Sequence, residues 1–253
     1  MEKVLTISKD YLLVPIKKEA EKRLLTFWCG TEKIYEFEIS CVDTEETYPE
    51  DFCAVLPVKK WKGQKIRIEG DVCESLLSAV REKESAVREN SGYIHFVPET
   101  GWINDPNGLI YSEGKYHLYF QHNPVDVNWG NMSWGHAEST DLLHWVQKED
   151  VMFPDENGTM FSGCAILNER GLLGLPKDTP VFFYTVAGSA SEWSKGKKFV
   201  QRIAYSTDQG ETLTKIEENV LEHIEADNRD PKVYWHEEKQ LYYMVLYLDK
   251  NDY

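Results

Sequence analysis

The sequence predicts an all-β protein, a small N-terminal β-sandwich followed by an incomplete β-propeller. Three observations predict it. Short runs rich in β-branched and aromatic residues, separated by charged turns, fill residues 3 to about 71. Strands resume after residue 92 with an internal repeat, in which Ser139-Thr-Asp141 returns as Ser206-Thr-Asp208, 67 residues on. Two Asp-Pro pairs, Asp105-Pro106 and Asp230-Pro231, stand 125 residues apart, close to two such periods. A repeat of roughly sixty residues, built from four short strands and polar turns, is that of a propeller blade with generous loops.

In chain order, the first strands are expected at Val4–Ile7, Tyr11–Ile16, Leu24–Trp28, Ile34–Val42, Phe52–Val58 and Lys65–Ile68. Ile34-Tyr-Glu-Phe-Glu-Ile39 and Lys65-Ile-Arg-Ile-Glu69 alternate apolar with polar residues, as half-buried strands do. Residues 1–72 are therefore expected to form an accessory sandwich, one that packs on the propeller or binds polysaccharide. The acidic run at residues 43–46, with Glu50-Asp51, reads as a solvated loop rather than a cation site. Residues 73–91 change character. Ser78-Ala-Val-Arg-Glu82 recurs as Ser85-Ala-Val-Arg-Glu89 among helix formers, so a helical linker, a short helix or a stiff connection between domains, is expected. Residues 92–253 are the propeller, with room for about two and a half blades. A propeller needs at least four, so the sequence is expected to be a fragment, and Tyr242–Leu248 to form an unpaired edge strand.

Composition excludes several functions. With 43 acidic and 28 basic residues the formal charge is −15, which repels phosphate backbones and anionic membranes. A neutral sugar is not penalised. The 5 cysteines (Cys29, Cys41, Cys53, Cys73, Cys164) show neither metal-ligand nor disulfide-framework spacing, so free thiols are expected. No metal or other cofactor is expected. His122, His136 and His144 read as structural histidines, since the sequence shows no carboxylate or third ligand to complete a metal site. The N-terminus lacks the apolar core of a signal peptide. A cytoplasmic location is expected, or secretion if a leader has been removed.

The chemistry concentrates in Gly101-Trp-Ile-Asn-Asp-Pro-Asn-Gly108 and Tyr119-Phe-Gln-His-Asn-Pro124. An aspartate fixed between an Asn and a Pro, and ringed by Trp, Gln and His, has the composition of a sugar pocket. Each Asp-Pro aspartate is pushed out of the right-handed helical region towards extended geometry, and so enters an inner strand from the channel mouth. Asn107-Gly108 should supply a sharp turn just after Asp105. Asp105 and Asp230 are thus expected to face one sugar from two blades.

Residues 92–253 also resemble the N-terminal part of the catalytic domain of glycoside hydrolase family 32, the invertases, levanases, inulinases and sucrose-6-phosphate hydrolases. The matching residues are His95-Phe-x-Pro-x-x-Gly-Trp-Ile-Asn-Asp-Pro-Asn-Gly108, Tyr119-Phe-Gln-His-Asn-Pro124, Trp129-Gly-Asn-Met-Ser-Trp-Gly-His-Ala137, Ser139-Thr-Asp-Leu-Leu-His-Trp145, Phe161-Ser-Gly163 and Arg229-Asp-Pro231. The resemblance implies a five-bladed propeller and hydrolysis of β-fructofuranosides with retention. It implies Asp105 as nucleophile, Asp230 as transition-state stabiliser and Arg229 as sugar holder. Asn104, Gln121 and Ser162 are implied as polar arms, with Trp102, Trp129 and Phe161 as apolar walls. The family's general acid/base is a Glu in a Glu-Cys motif, and no such dipeptide follows Asp230. Glu237 and Glu238 fall in an expected hairpin turn. The chain alone is therefore expected to be inactive. A carbohydrate-binding or scaffold protein with a fructosidase-like pocket is the alternative. The expected partner is a fructose-containing oligo- or polysaccharide.

Overall fold

The computed structural model describes residues 1–43, 47–84, 89–90 and 95–249. The chain divides into two compact units, Met1–Arg88 with Pro98–Ile103 and His122–Asn131, and Glu89–Val97 with Asn104–Gln121 and Met132–Tyr253. Among the described residues no helix is long and apolar enough to cross a membrane.

The first unit is built from strands close to those expected: β1 (Glu2–Thr6), β2 (Tyr11–Ile16), β3 (Glu21–Cys29), β4 (Glu32–Cys41), β5 (Phe52–Pro57) and β6 (Lys65–Gly70). They form two antiparallel sheets, ordered β1-β6-β3-β4 and β5-β2 with a third strand described next. The inward positions of the alternating strands supply the core. Leu12, Ile16, Leu25, Ile39, Leu56, Ile66 and Ile68 are fully buried. Glu50 pairs with Arg81 at 3.1 Å and Asp51 with Lys17 at 2.9 Å, so these two acidic residues are balanced by cations of the protein itself. Residues 44–46 lie outside the described set.

The expected helical linker is corrected. A helix α1 covers only Glu74–Ala79, and Val80 is already extended. Arg81–Lys83 is strand β7, which pairs with β2 through Tyr11↔Lys83 and Leu13↔Arg81. Glu82 accepts the backbone N–H groups of Ser8 (2.6 Å) and Lys9 (2.9 Å). A free sheet edge and two unmet donors outweigh helix propensity, which spans less than about 1 kcal/mol per residue. Glu89–Asn90 is strand β8 of the second unit; Ser85–Arg88 lie outside the described residues.

The second unit is a β-propeller array. The first blade has strands β9 (Trp102–Ser112), β10 (Lys115–Asn123), β11 (Ser133–Ser139) and β12 (Trp145–Gln147), in the order β8-β12-β11-β10-β9. The second blade follows with β13 (Thr159–Leu167), β14 (Pro180–Ala187), β15 (Val200–Tyr205) and β16 (Thr214–Lys215), in sequential order. A hairpin of β17 (Arg229–His236) and β18 (Leu241–Tyr247) completes the described set. The repeat read from sequence is physical. Ser139 Oγ donates to Asp141 at 3.1 Å, Ser206 Oγ donates to Asp208 at 2.8 Å, and each Asp returns its own N–H to the serine.

Strand β14 shows how the blades hold together. All eight of its residues are buried, because it is covered on both faces. Phe182, Tyr184 and Val186 join Tyr119 and Trp134 of the first blade, while Val181 and Phe183 join Val233 of the hairpin. Successive side chains point to opposite faces, so one strand feeds two interfaces.

Candidate active site

Three blade-opening strands, β9, β13 and β17, converge on one open pocket of about 390 Å³. Its lining includes Asp105, Asn107, Ser162, Cys164, Asp230 and Lys232. Asp105, Ser162 and Asp230 thus line the same pocket. Ser162 Oγ donates to Asp105 Oδ2 at 2.6 Å. Arg229 Nε lies 3.5 Å from Asp230 Oδ2, while its Nη1 donates to the Asp227 carbonyl and its guanidinium sits 4.4 Å from the Tyr247 ring centroid. Partial burial raises the Asp230 carboxyl above its ordinary range; Arg229 opposes this and the Asp105 charge adds to it.

The backbone details depart from expectation. Asn107 and Gly108 make no turn; both continue β9. Gly108 has φ +50°, and a Cβ there would meet Phe182 and Tyr119 at 3.1 Å, so glycine serves close packing inside a strand. Asp230 avoids the right-handed region, as its proline requires, by entering the left-handed one at φ +61°. It does so at a bulge, where the β17–β18 register shifts between Arg229 and Lys232. That conformation costs a non-glycine residue roughly 1–2 kcal/mol.

Beneath the pocket lies a polar layer that the sequence reading missed. Asn107 is buried. With its amide oriented as the neighbouring donors require, it accepts from Gln121 Nε2 at 3.0 Å and donates to Ser162 Oγ at 3.2 Å. Gln121, read as a sugar-contacting arm, is itself buried and donates to the Met160 carbonyl at 2.8 Å. It therefore supports the floor from below. Phe161 packs edge-on against Phe199 at 5.6 Å. Asn104 and Arg229 also belong to the second unit, whereas Trp102 and Trp129 belong to the first. Among the described residues lining the pocket, the carboxylates are Asp105 and Asp230. Glu237 accepts from the Trp235 indole (2.7 Å) and pairs with Arg170 (3.2 Å) in the hairpin turn.

All five cysteines are free, and Cys164 Sγ accepts the Val233 N–H at 3.1 Å. The histidines need one correction. His122 contacts the Thr100 carbonyl at 2.9 Å and His144 contacts Asp141 at 2.6 Å. His136, however, meets a second imidazole, His117, at 3.1 Å, and Glu138 completes a buried group of three possible ligands. Sequence spacing concealed this because His117 reaches His136 across paired strands. Glu138 Oε2 is already held by Lys115 at 2.8 Å and Lys148 at 3.7 Å, and two nearby ammonium groups oppose a further dication. Burial pushes both imidazoles down, His136 strongly. In the unfolded chain they take up protons below about pH 6.5. Stability that is present above that value should therefore fall as pH drops through it. In thermal melts at pH 7.5 and 5.5, His136→Phe should shrink the difference between the two midpoints; an unchanged difference would contradict this account.

Over 157 residues the chain is 42% identical to the levanase of Bacillus subtilis (strain 168), covering 60% of this chain and 22% of the levanase. Over 177 residues it is 38% identical to the extracellular exo-inulinase of Aspergillus awamori, covering 61% of this chain and 33% of that protein. Among solved structures, the β-fructofuranosidase from Schwanniomyces occidentalis complexed with fructosyl-erythritol matches with a TM-score of 0.54 and 37% identity, covering 62% of this chain and 32% of that one. The chain thus spans a third or less of the length of these relatives. Residues 95–252 match the family described as Glycosyl hydrolases family 32 N-terminal domain, and the chain belongs to that family.

Proposed function

We propose that the pocket between β9, β13 and β17 holds the fructosyl unit of a β-fructofuranoside such as sucrose, sucrose 6-phosphate or a fructan. Asp105 is the nucleophile in this reading. Its carboxylate attacks the anomeric carbon, and the oxocarbenium-like charge collapses to a covalent fructosyl ester that water later opens with retention. Ser162 orients that carboxylate through its 2.6 Å hydrogen bond. Asp230 is the stabiliser. It accepts from ring hydroxyls that become stronger donors as the ring turns cationic, so its contact gains most in the transition state. Arg229 limits the repulsion between the two carboxylates. The observation that carries the reading is the shared lining of one pocket by Asp105, Ser162 and Asp230.

Retaining chemistry also needs a proton donor for the leaving group, and general acid catalysis contributes about 10²–10⁴-fold. With two carboxylates in the described lining, we propose that residues 1–253 bind fructose but turn over sucrose and levan negligibly. Binding without turnover is also what the alternative, a carbohydrate-binding protein with a fructosidase-like pocket, would show. Adding fructose should shift the NMR signals of Asp105, Ser162 and Asp230 saturably, while a fructose-release assay stays at background. Fructose release that disappears in Asp105→Asn would contradict the second statement, and unmoved pocket signals would contradict the first.

A further inference from the structure

We propose that Thr185 and Gln201 are positioning residues for the Asp230 carboxylate, forming a buried clasp that fixes the bulged backbone from Asn228 to Asp230. The proposal rests on the reading of Asp230 as a sugar-binding group. Three hydrogen bonds make the clasp. The Asp230 N–H donates to Thr185 Oγ1 at 3.0 Å, the Thr185 hydroxyl donates to Gln201 Oε1 at 2.6 Å, and Gln201 Nε2 donates to the Asn228 carbonyl at 3.0 Å. The path leaves the β17 approach at Asn228, crosses β15 and β14, and returns to it at Asp230. Thr185, Gln201 and Asn228 are all fully buried.

Each link answers a need created by the backbone. At the bulge the β17–β18 ladder skips from Arg229 to Lys232, and Pro231 has no N–H to offer. The Asp230 amide therefore needs an acceptor outside the ladder, and Thr185 supplies it. A threonine hydroxyl can accept one hydrogen bond while donating another, so Thr185 passes the polarity on to Gln201. Thr185 and Gln201 are direct register partners on β14 and β15, which puts both side chains on one face. The Gln201 amide then uses its oxygen on Thr185 and its nitrogen on Asn228, two residues before Asp230. The ring so formed holds both ends of a left-handed step that the chain would otherwise relax.

The consequence is for aim. Arg229 acts on the tip of the Asp230 carboxylate, near solvent, where a 3.5 Å pair constrains it weakly. The clasp acts on the backbone from which the side chain starts. It thereby determines whether the carboxylate points into the pocket shared with Asp105.

The test uses the full chain and needs no catalysis. In the unsubstituted protein, the Asp230 amide should exchange with solvent as slowly as the buried amides of β14, although it opens a hairpin with an exposed outer strand. Thr185→Val keeps the shape but leaves two buried groups unpaired, and Thr185→Ser keeps the hydroxyl. Asp230 amide exchange should quicken about tenfold or more in Thr185→Val and return towards the original rate in Thr185→Ser. Gln201→Met, which spares the Thr185 acceptor, should fall between them. The carboxyl titration of Asp230, followed by NMR, should drop towards the ordinary range in Thr185→Val, and fructose should bind about tenfold more weakly. A merely structural role would lower the melting temperature and leave the Asp230 titration in place, which would overturn the proposal. Fast exchange of the Asp230 amide in the unsubstituted chain would overturn it with no variant at all. Failure of that chain to bind fructose would count against the proposed function alone, because the exchange and titration decide the clasp independently.

Discussion

Trp134→Ala is expected to destabilise the second unit by about 3–5 kcal/mol, the range for emptying the space of a fully buried large aromatic residue. Trp134 has no exposed surface and lies edge-to-face with Phe182 at 6.3 Å and Tyr184 at 6.2 Å. It therefore bridges the first and second blades. Its indole Nε1 also donates to the Phe161 carbonyl at 3.0 Å, one residue before Ser162. Truncation removes both the packing and this hydrogen bond beneath the pocket. Trp134→Phe separates the two effects: it keeps most of the packing and should cost only about 0.5–1.5 kcal/mol for the lost hydrogen bond. Urea unfolding of both variants checks this. Equal losses would show that the N–H dominates, and a loss below about 1 kcal/mol for alanine would contradict the account of the blade interface.

Asp105→Ala is expected to weaken fructose binding by about 10- to 150-fold, corresponding to about 1.5–3 kcal/mol for hydrogen bonds to a charged group. Two features of the site favour a large effect. Asp105 is held by Ser162 at 2.6 Å, so it loses little freedom when sugar arrives. Ser162 is backed by Asn107 and Gln121, both buried, so the arrangement does not depend on solvent-facing side chains. Because Asp105 itself is exposed, melting temperature should change little, which separates loss of affinity from loss of fold. Calorimetry with fructose checks the expectation. An affinity within twofold of the original would remove Asp105 from the sugar site.

Strands of the first unit such as β5 and β6 were legible because they bury alternate residues, which imposes a period of two on the chain. The blade repeat was legible because Ser139-Thr-Asp141 and Ser206-Thr-Asp208 make the same local turn, and such a turn uses the same side chains each time. Asp105 and Asp230 could be placed on equivalent strands from their spacing and their prolines. What the pattern could not carry was anything set by partners on other strands. His117 meets His136, and Thr185 meets Gln201, only after the register of paired strands is known. Asn107 resembled a turn residue because Asn-Gly usually marks a turn; here the packing of Phe182 and Tyr119 against Gly108 keeps the segment in strand. The left-handed Asp230 was hidden for a related reason. A residue before proline has more than one way to avoid the right-handed region, and the acceptor that selects one of them, Thr185, lies 45 residues earlier. Arg81–Lys83 read as helix from propensity, yet a sheet edge in need of a partner decided its conformation.

The account depends on Asp105 and Asp230 sharing one sugar, and a double-mutant cycle on fructose affinity tests this most directly. Asp105→Asn, Asp230→Asn and the double variant each remove charge while keeping shape. If both carboxylates grip the same furanose ring, the two losses will not add, and the coupling between them will exceed about 0.5 kcal/mol. If they serve separate environments, the double variant will show the simple sum of the two single losses, and the shared-pocket account will be wrong.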